Sequence, residues 1–171
     1  AMDYDGIYLE NTGYGIIKNN NIIIHNPDDN WWSNSGAIKI VNVNDYLIQD
    51  NRIIGEYSDG GYTHGIMLED SEYNQILSND VSDNYKGIAL TYDGESGGYN
   101  NVRENVITNN EFGISIQTEE NRFIDNTILS DNDNGVGRCG IEFRNGENNY
   151  LSGNDVSGFE FAGLHAQYIG N

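Results

Sequence analysis

One phrase, written again and again with small variations, constrains the fold of this chain more than any other feature. It reads "NQILSNDV" ending at Val81, "NNVRENVI" at Ile107, "NRFIDNTI" at Ile128 and "NYLSGNDV" at Val156. The second asparagine of the phrase falls at Asn20, Asn51, Asn79, Asn105, Asn126 and Asn154, with gaps of 31, 28, 26, 21 and 28 residues. Ahead of each phrase runs a stretch of the form Gly-Ile-x-Leu, opening at Gly6, Ala37, Gly65, Gly87, Gly113, Gly140 and Gly163. A recurring unit of this length marks a solenoid, because one unit cannot bury its apolar face without a neighbour.

Side chains two apart share one face of a strand. Ile7 with Leu9, Ile66 with Leu68, and Ile114 with Ile116 therefore point one way, and the residues between them point the other. Two further short strands follow in each unit, centred on Ile17 and Ile22, Ile48 and Ile53, Ile76 and Val81, Val102 and Ile107, Phe123 and Ile128, Leu151 and Val156. The asparagine between the members of each pair is expected to take the left-handed conformation of a sharp bend. Stacked at the ~4.8 Å strand spacing, these amides can hydrogen-bond up a ladder. Asn105 is expected to sit in that ladder and Asn100 to be exposed.

The pattern predicts an all-β fold, a right-handed parallel β-helix of about six complete coils plus a partial seventh. A leucine-rich repeat would need a continuous Leu consensus, and a left-handed hexapeptide helix a strict period of six; neither is written here. One Pro and 21 Gly among many Asn and Asp fit a chain of tight bends with little helix. Residues 1–171 read as a single solenoid domain. The repeat begins within a few residues of Ala1 and a seventh unit has barely started at Asn171, so the chain is expected to be a piece of a larger protein whose flanking domains are partners.

A formal charge of -19 argues against nucleic acid and anionic membrane as partners. No stretch approaches the length of a membrane span, so no membrane insertion is expected. Cys139 is the sole cysteine and permits no internal disulfide. A highly acidic, soluble exterior fits an extracellular or cell-surface location.

The units "GIMLEDSEYNQILSNDV", "GISIQTEENRFIDNTI" and "GIEFRNGENNYLSGNDV" resemble the parallel β-helix repeats described as carbohydrate-binding and sugar-hydrolase repeats. That family includes polysaccharide lyases, polygalacturonase-like hydrolases, epimerases, archaeal disaggregatase-like surface proteins, phage tailspikes and periplasmic copper-accessory proteins. The resemblance covers residues 6 to about 167 and implies that a substrate is a saccharide chain lying along the first strand of successive coils. The expected function is an extracellular polysaccharide-recognising domain, part of a glycoside hydrolase or polysaccharide lyase. The alternative is a non-catalytic structural or adhesive segment of a cell-surface protein.

The repeat also aligns the outward residues of the first strands. Tyr8, Lys39, Met67, Ala89, Ser115, Glu142 and His165 form one column; Glu10, Val41, Glu69, Thr91, Gln117, Arg144 and Gln167 form a second. Asp5, Gly36, His64, Lys86, Phe112, Cys139 and Ala162 form a third. Lys39, Lys86 and Arg144 enrich this sheet in cations within an acidic molecule. Long insertions at 26–35, 56–63, 93–100 and 131–138 flank it, with Trp31, Trp32, Tyr57, Tyr62, Tyr92 and Tyr99 in or beside them, whose flat faces suit sugar rings. Tyr8, Lys39 and Arg144 join Trp31, Trp32, Tyr62 and Tyr92 as candidate substrate contacts.

Two chemistries fit the candidate catalytic residues. Glu10 and Glu69 occupy one column two coils apart, hence about 9 to 10 Å from strand spacing, near the range of roughly 6.5 to 9.5 Å for inverting glycoside hydrolysis. A lyase or epimerase instead needs a base beside the carbon that carries a carboxylate, and a cation to neutralise that carboxylate. His64, Lys86 and Glu69 lie on adjacent coils and supply those types. "DNDNG" at 131–135 spaces oxygens like the start of a calcium loop but lacks its distant Glu, so calcium is an optional ligand and no cofactor or metal is required.

Overall fold

The computed structural model describes residues 5–24, 35–56, 63–92, 97–131 and 137–167. Among these, every strand belongs to one of three parallel sheets, of seven, six and six strands, and no helix occurs. The first sheet takes the opening strand of each coil: Ile7–Glu10, Gly36–Val41, His64–Glu69, Lys86–Thr91, Phe112–Ile116, Cys139–Arg144 and Ala162–Gln167. The other two sheets stack the short strands that follow, such as Asn101–Arg103 and Val106–Thr108 in the fourth coil. The repeat therefore translates directly into six complete coils and the first strand of a seventh.

Register follows the sequence template residue for residue. Ile38 pairs with Ile66, Ile66 with Ile88, Ile88 with Ile114 and Ile114 with Ile141. All five are at most 1 % exposed and line one continuous core. Each such side chain contributes about 1.5–3 kcal/mol by leaving water. Because identical residues stack at every coil, no coil needs its own core; it borrows the faces of its two neighbours.

The corner between the second and third strands carries the expected amide ladder. Asn20 Nδ2 donates to Asn51 Oδ1, Asn51 to Asn79, Asn79 to Asn105, Asn105 to Asn126 and Asn126 to Asn154, over 2.8–3.0 Å. Each amide oxygen also accepts the backbone N–H of the asparagine one coil below, as Asn105 Oδ1 does from Asn79 N at 2.9 Å. The left-handed residue is not the ladder asparagine but the one before it: Asn19, Asp50, Ser78, Glu104, Asp125 and Gly153 have positive φ. The ladder position thus selects Asn for its paired donor and acceptor, and the bend is made one residue earlier, where the side chain points outward and its identity varies.

A second ladder occupies the corner before the second strand, where Asn74, Asn100, Asn121 and Asn149 repeat the same amide pattern. Asn100, expected to be exposed, is 1 % exposed and belongs to this ladder. The physical reason is the same as at Asn105: Tyr99 before it takes the positive φ and turns the amide inward. Asn84 and Asn110 form a shorter rung at the remaining corner.

The first sheet differs from an ordinary solenoid wall in being buried on both faces through its middle. Outward residues expected to form an open face are instead nearly covered: Lys39 8 %, His64 4 %, Lys86 9 % and Glu142 3 % exposed, with Met67, Ala89, Ser115, Phe112 and Cys139 also buried. The first strand keeps an open outward face, as at Tyr8, which is 48 % exposed, and the last strand is open on its inward side, as at Leu164.

Candidate functional site

A polar cavity of about 300 Å³ opens on the outward side of the first sheet, across the third to fifth coils. His64, Met67, Glu69, Lys86, Thr91, Tyr92 and Gln117 line it. Strand register explains the grouping. Lys86 lies beside His64, Ala89 beside Met67, and Thr91 beside Glu69. His64 and Lys86 therefore stand at one end of adjacent strands and Glu69 and Thr91 at the other, with Met67 between.

His64 is fixed from behind. Its Nδ1 lies 3.3 Å from the Ser35 carbonyl, which also accepts the His64 backbone N–H. A carbonyl only accepts, so Nδ1 is the donor in this contact, which in a neutral imidazole leaves Nε2 as the acceptor nitrogen. The imidazole stands edge-on to Tyr85 at 6.3 Å, and Tyr85 edge-on to Phe112 at 5.4 Å, an aromatic row along the strand starts.

Lys86 is a buried cation whose ammonium lies 5.9 Å from the centre of the Tyr85 ring. Among the described residues no carboxylate comes within 4 Å of it. Burial pushes its pKa below the ordinary lysine value, the nearby Arg144 pushes it further down, and Glu142 pulls it back up. Glu69 carries an ion contact from Lys39 at 3.8 Å, so Lys39 reaches the edge of the cavity through Glu69.

The remaining candidates separate from this group. Glu10 and Glu69 share a column through Val41, two coils apart, but Glu10 is exposed, accepts the Tyr8 hydroxyl at 2.9 Å and does not line the cavity. Tyr92 lines the cavity, whereas Tyr99 spends a ring face on Tyr73, stacked at 5.1 Å on an exposed corner. Arg144 lies on the sixth coil with its Nε 3.1 Å from Glu142 Oε2. Trp31, Trp32, Tyr57, Tyr62 and all of the "DNDNG" stretch except Asp131 lie outside the described residues. Among the described residues no three His, Cys, Asp or Glu side chains converge as metal ligands, and no helix is long and apolar enough to cross a membrane.

One cluster was not assigned from sequence. Glu142 is buried with Arg144 beside it; the Ser115 hydroxyl donates to it at 3.4 Å, and His165 Nδ1 lies 4.0 Å away. The signal was present: Glu142 and Arg144 are two apart on one strand and so share a face. Cys139 adjoins this cluster, its thiol pKa pushed up to about 11, first by burial and then by Glu142.

A family model described as a right handed beta helix region matches residues 2–128. The chain belongs to the right-handed β-helix family. No curated protein sequence matches it. Among solved structures, a mutant of the periplasmic alginate epimerase AlgG superposes with a TM-score of 0.79 at 21 % identity, covering 97 % of this chain and 36 % of that one. Unmutated AlgG gives 0.78 at 20 % identity, with the same coverage. The Dettilon tailspike protein gives 0.59 at 12 % identity, covering 96 % of this chain and 40 % of that one. These likenesses concern the fold, and the chain spans little more than a third of the AlgG chain.

Proposed function

We propose that this β-helix binds an acidic polysaccharide along its first sheet and abstracts a proton from the carbon that bears the sugar carboxylate. The observation that carries the reading is the convergence of a tautomer-fixed His64, a buried Lys86 and Glu69 in one polar cavity. A buried ammonium with no carboxylate within 4 Å among the described residues is costly, and an anionic ligand group relieves that cost. The fold likeness to an alginate epimerase and a tailspike agrees with a saccharide partner and an envelope or extracellular setting.

In this scheme Lys86 holds the sugar carboxylate and His64 Nε2 takes the proton from the adjacent carbon. The C–H electron pair delocalises into the carboxylate, where the ammonium stabilises it. Collapse then follows one of two routes. The pair forms a C=C bond while the glycosidic oxygen leaves and is protonated, or the carbon is reprotonated from its opposite face. Tyr92, across the cavity from His64, is the group available to deliver a proton, and Glu69 accepts hydrogen bonds from sugar hydroxyls. Hydrolysis by Glu10 and Glu69 is the weaker reading, because Glu10 lies outside the cavity.

The test incubates the protein with acidic and neutral oligosaccharides in deuterium oxide. Ultraviolet absorbance reads unsaturated ends, mass spectrometry reads deuterium gained at carbon, and a reducing-end assay reads cleavage. Proton abstraction predicts unsaturation or deuterium gain on an acidic sugar, lost in His64→Gln with binding retained. Reducing ends without either signal would establish hydrolysis instead. Absence of binding to every saccharide would favour the structural or adhesive alternative.

A further inference from the structure

The corner before the second strand of each coil holds one outward residue of positive φ: Asp45, Tyr73, Tyr99, Glu120 and Asn148 on the second to sixth coils, with φ between 53° and 62°. Each docks on the next coil in the same way, Tyr73 donating its backbone N–H to the Gly98 carbonyl at 3.2 Å and Tyr99 to the Glu119 carbonyl at 3.3 Å. Asp and Asn suit a left-handed corner, because a short polar side chain bonds locally there; a bulky aromatic ring is costly. Two tyrosines nonetheless occupy it on adjacent coils, 52 % and 50 % exposed, with ring centres 5.1 Å apart and planes 9° from parallel. The residue after each tyrosine is locked in the second amide ladder, Asn74 Nδ2 donating to Asn100 Oδ1 at 3.1 Å. Coil spacing therefore sets the ring separation.

We infer that Tyr73 and Tyr99 form an oxidative cross-linking site, at which a bond between their rings staples the third coil to the fourth. The oxidant is a peroxide acting through an external haem peroxidase. It takes one electron from each phenol, each phenol releases its O–H proton, and the two phenoxyl radicals pair their electrons in a C–C bond between ring carbons ortho to oxygen. The hydrogens on those two carbons leave as protons while both oxygens regain theirs. The protein thus loses two hydrogen atoms, and the peroxide becomes two molecules of water. Three features favour this bond over coupling between molecules. The slipped parallel stack holds the edge of one ring over the other. Glu120, one coil on, raises the Tyr99 phenol above its ordinary pKa, with lesser contributions from partial desolvation, Tyr73, Glu119 and Glu72, so the phenol is neutral and carboxylates stand near to take the proton that leaves with the electron. A chain of formal charge -19 also repels its own copies. The staple falls where backbone pairing is sparse, since Gly98 joins Glu72 and Glu119 through single bridges rather than strands. The coils it ties are those that carry His64, Glu69 and Lys86, but the inference does not rest on the saccharide reading.

The experiment treats dilute protein with hydrogen peroxide and a haem peroxidase. The expected product is a monomer with blue biphenol fluorescence. Tryptic cleavage after Lys86 separates the two tyrosines, so mass spectrometry should find a joined pair of peptides holding residues 73 and 99, lighter than their sum by two hydrogen atoms. Tyr73→Phe and Tyr99→Phe each abolish the signal and leave the thermal midpoint before oxidation unchanged, because the stack keeps both rings. Tyr14→Phe, which removes an 87 % exposed ring, leaves the signal intact. Cross-linked wild type melts about 5–10 °C above oxidised Tyr73→Phe, since a loop closed between residues 73 and 99 restricts the unfolded chain. Coupling governed by exposure alone predicts dimers joined through Tyr14 instead. Such dimers as the main product, a monomer signal that survives Tyr73→Phe, or a link that leaves the midpoint unmoved overturns the inference.

Discussion

Replacing Asn105 with leucine tests the ladder at a fully buried rung. Asn105 Oδ1 accepts two bonds, from the backbone N–H and the side-chain amide of Asn79. Its Nδ2 donates to Asn126 Oδ1, to the Ile76 carbonyl at 2.9 Å and to the Arg103 carbonyl at 3.0 Å. Leucine keeps the branched shape, with bulkier methyls in place of the amide, and removes all five. Asn79 Nδ2 keeps the Ile48 carbonyl and Asn126 Oδ1 keeps the Asn105 backbone N–H, so those two groups lose only part of their bonding. The Asn79 backbone N–H loses its acceptor inside the protein, at about 1–3 kcal/mol for one orphaned buried donor. The other losses, at a net of about 0.5–1.5 kcal/mol each, are offset in part by the apolar gain of leucine. The total comes to about 3–5 kcal/mol of destabilisation.

The comparison variant is Asn21→Ala, at an exposed strand position whose oxygen makes one long contact, 3.4 Å from Arg52; it should cost under about 0.5 kcal/mol. Urea unfolding of both, followed by circular dichroism, gives the difference. Asn100→Leu, in the second ladder, should resemble Asn105→Leu. Equal unfolding free energies for Asn105→Leu and Asn21→Ala would refute the claim that the amides hold the coils in register.

Ile88→Asp places a carboxylate at a position of 0 % exposure in the inward stack and should destabilise by about 4 kcal/mol or more, seen as a collapsed thermal transition or insoluble product. Lys86→Met should raise the thermal midpoint at neutral pH. The folded protein releases the Lys86 proton at lower pH than the unfolded chain does, so the penalty is complete below the folded pKa and fades as pH rises toward 10.5. The advantage of the variant should therefore shrink in alkaline solution, and an advantage constant with pH would contradict the assignment. Cys139 should resist thiol reagents in native protein at about pH 8 and react at once in urea, because its thiol is 1 % exposed and titrates only near 11. Paired Trp31→Ala and Trp32→Ala substitutions should weaken saccharide retention without lowering the thermal midpoint, as measured by affinity electrophoresis.

The fold was legible because the same physics is repeated at every coil. Ile66, Ile88 and Ile114 answer one packing requirement, so their alignment in sequence already gives their register in space. The site was legible only as columns. Period-two alternation places His64, Lys86 and Glu69 on one side of the first sheet, but it carries no information on how much of that side is covered. Lys39 and Lys86 look like ordinary surface cations in sequence and are about nine-tenths buried in the structure. The bend was misread for a related reason. Asparagine both tolerates positive φ and builds amide ladders, and the sequence alone cannot separate those uses; the variable residues before it, from Asn19 to Glu104, carry the strain.

A solenoid of this kind separates stability from chemistry by direction. Inward positions repeat, and their apolar contacts and amide rungs are shared between neighbouring coils, so a costly group facing outward on one coil is supported by the coils above and below. Lys86 depends on that support. The strand that carries it also carries Ile88 and Leu90, both fully buried, and is bonded on either side to strands with the same inward pattern. Burying an ammonium there lowers the stability of the fourth coil without changing its path, because register is set by residues on the opposite face. The cation, the imidazole and the carboxylate of the cavity come from three strand positions on two adjacent coils whose spacing cannot drift. Such rigidity suits the proton transfer proposed for the cavity, since misplacement by about 1 Å costs on the order of a hundredfold in rate.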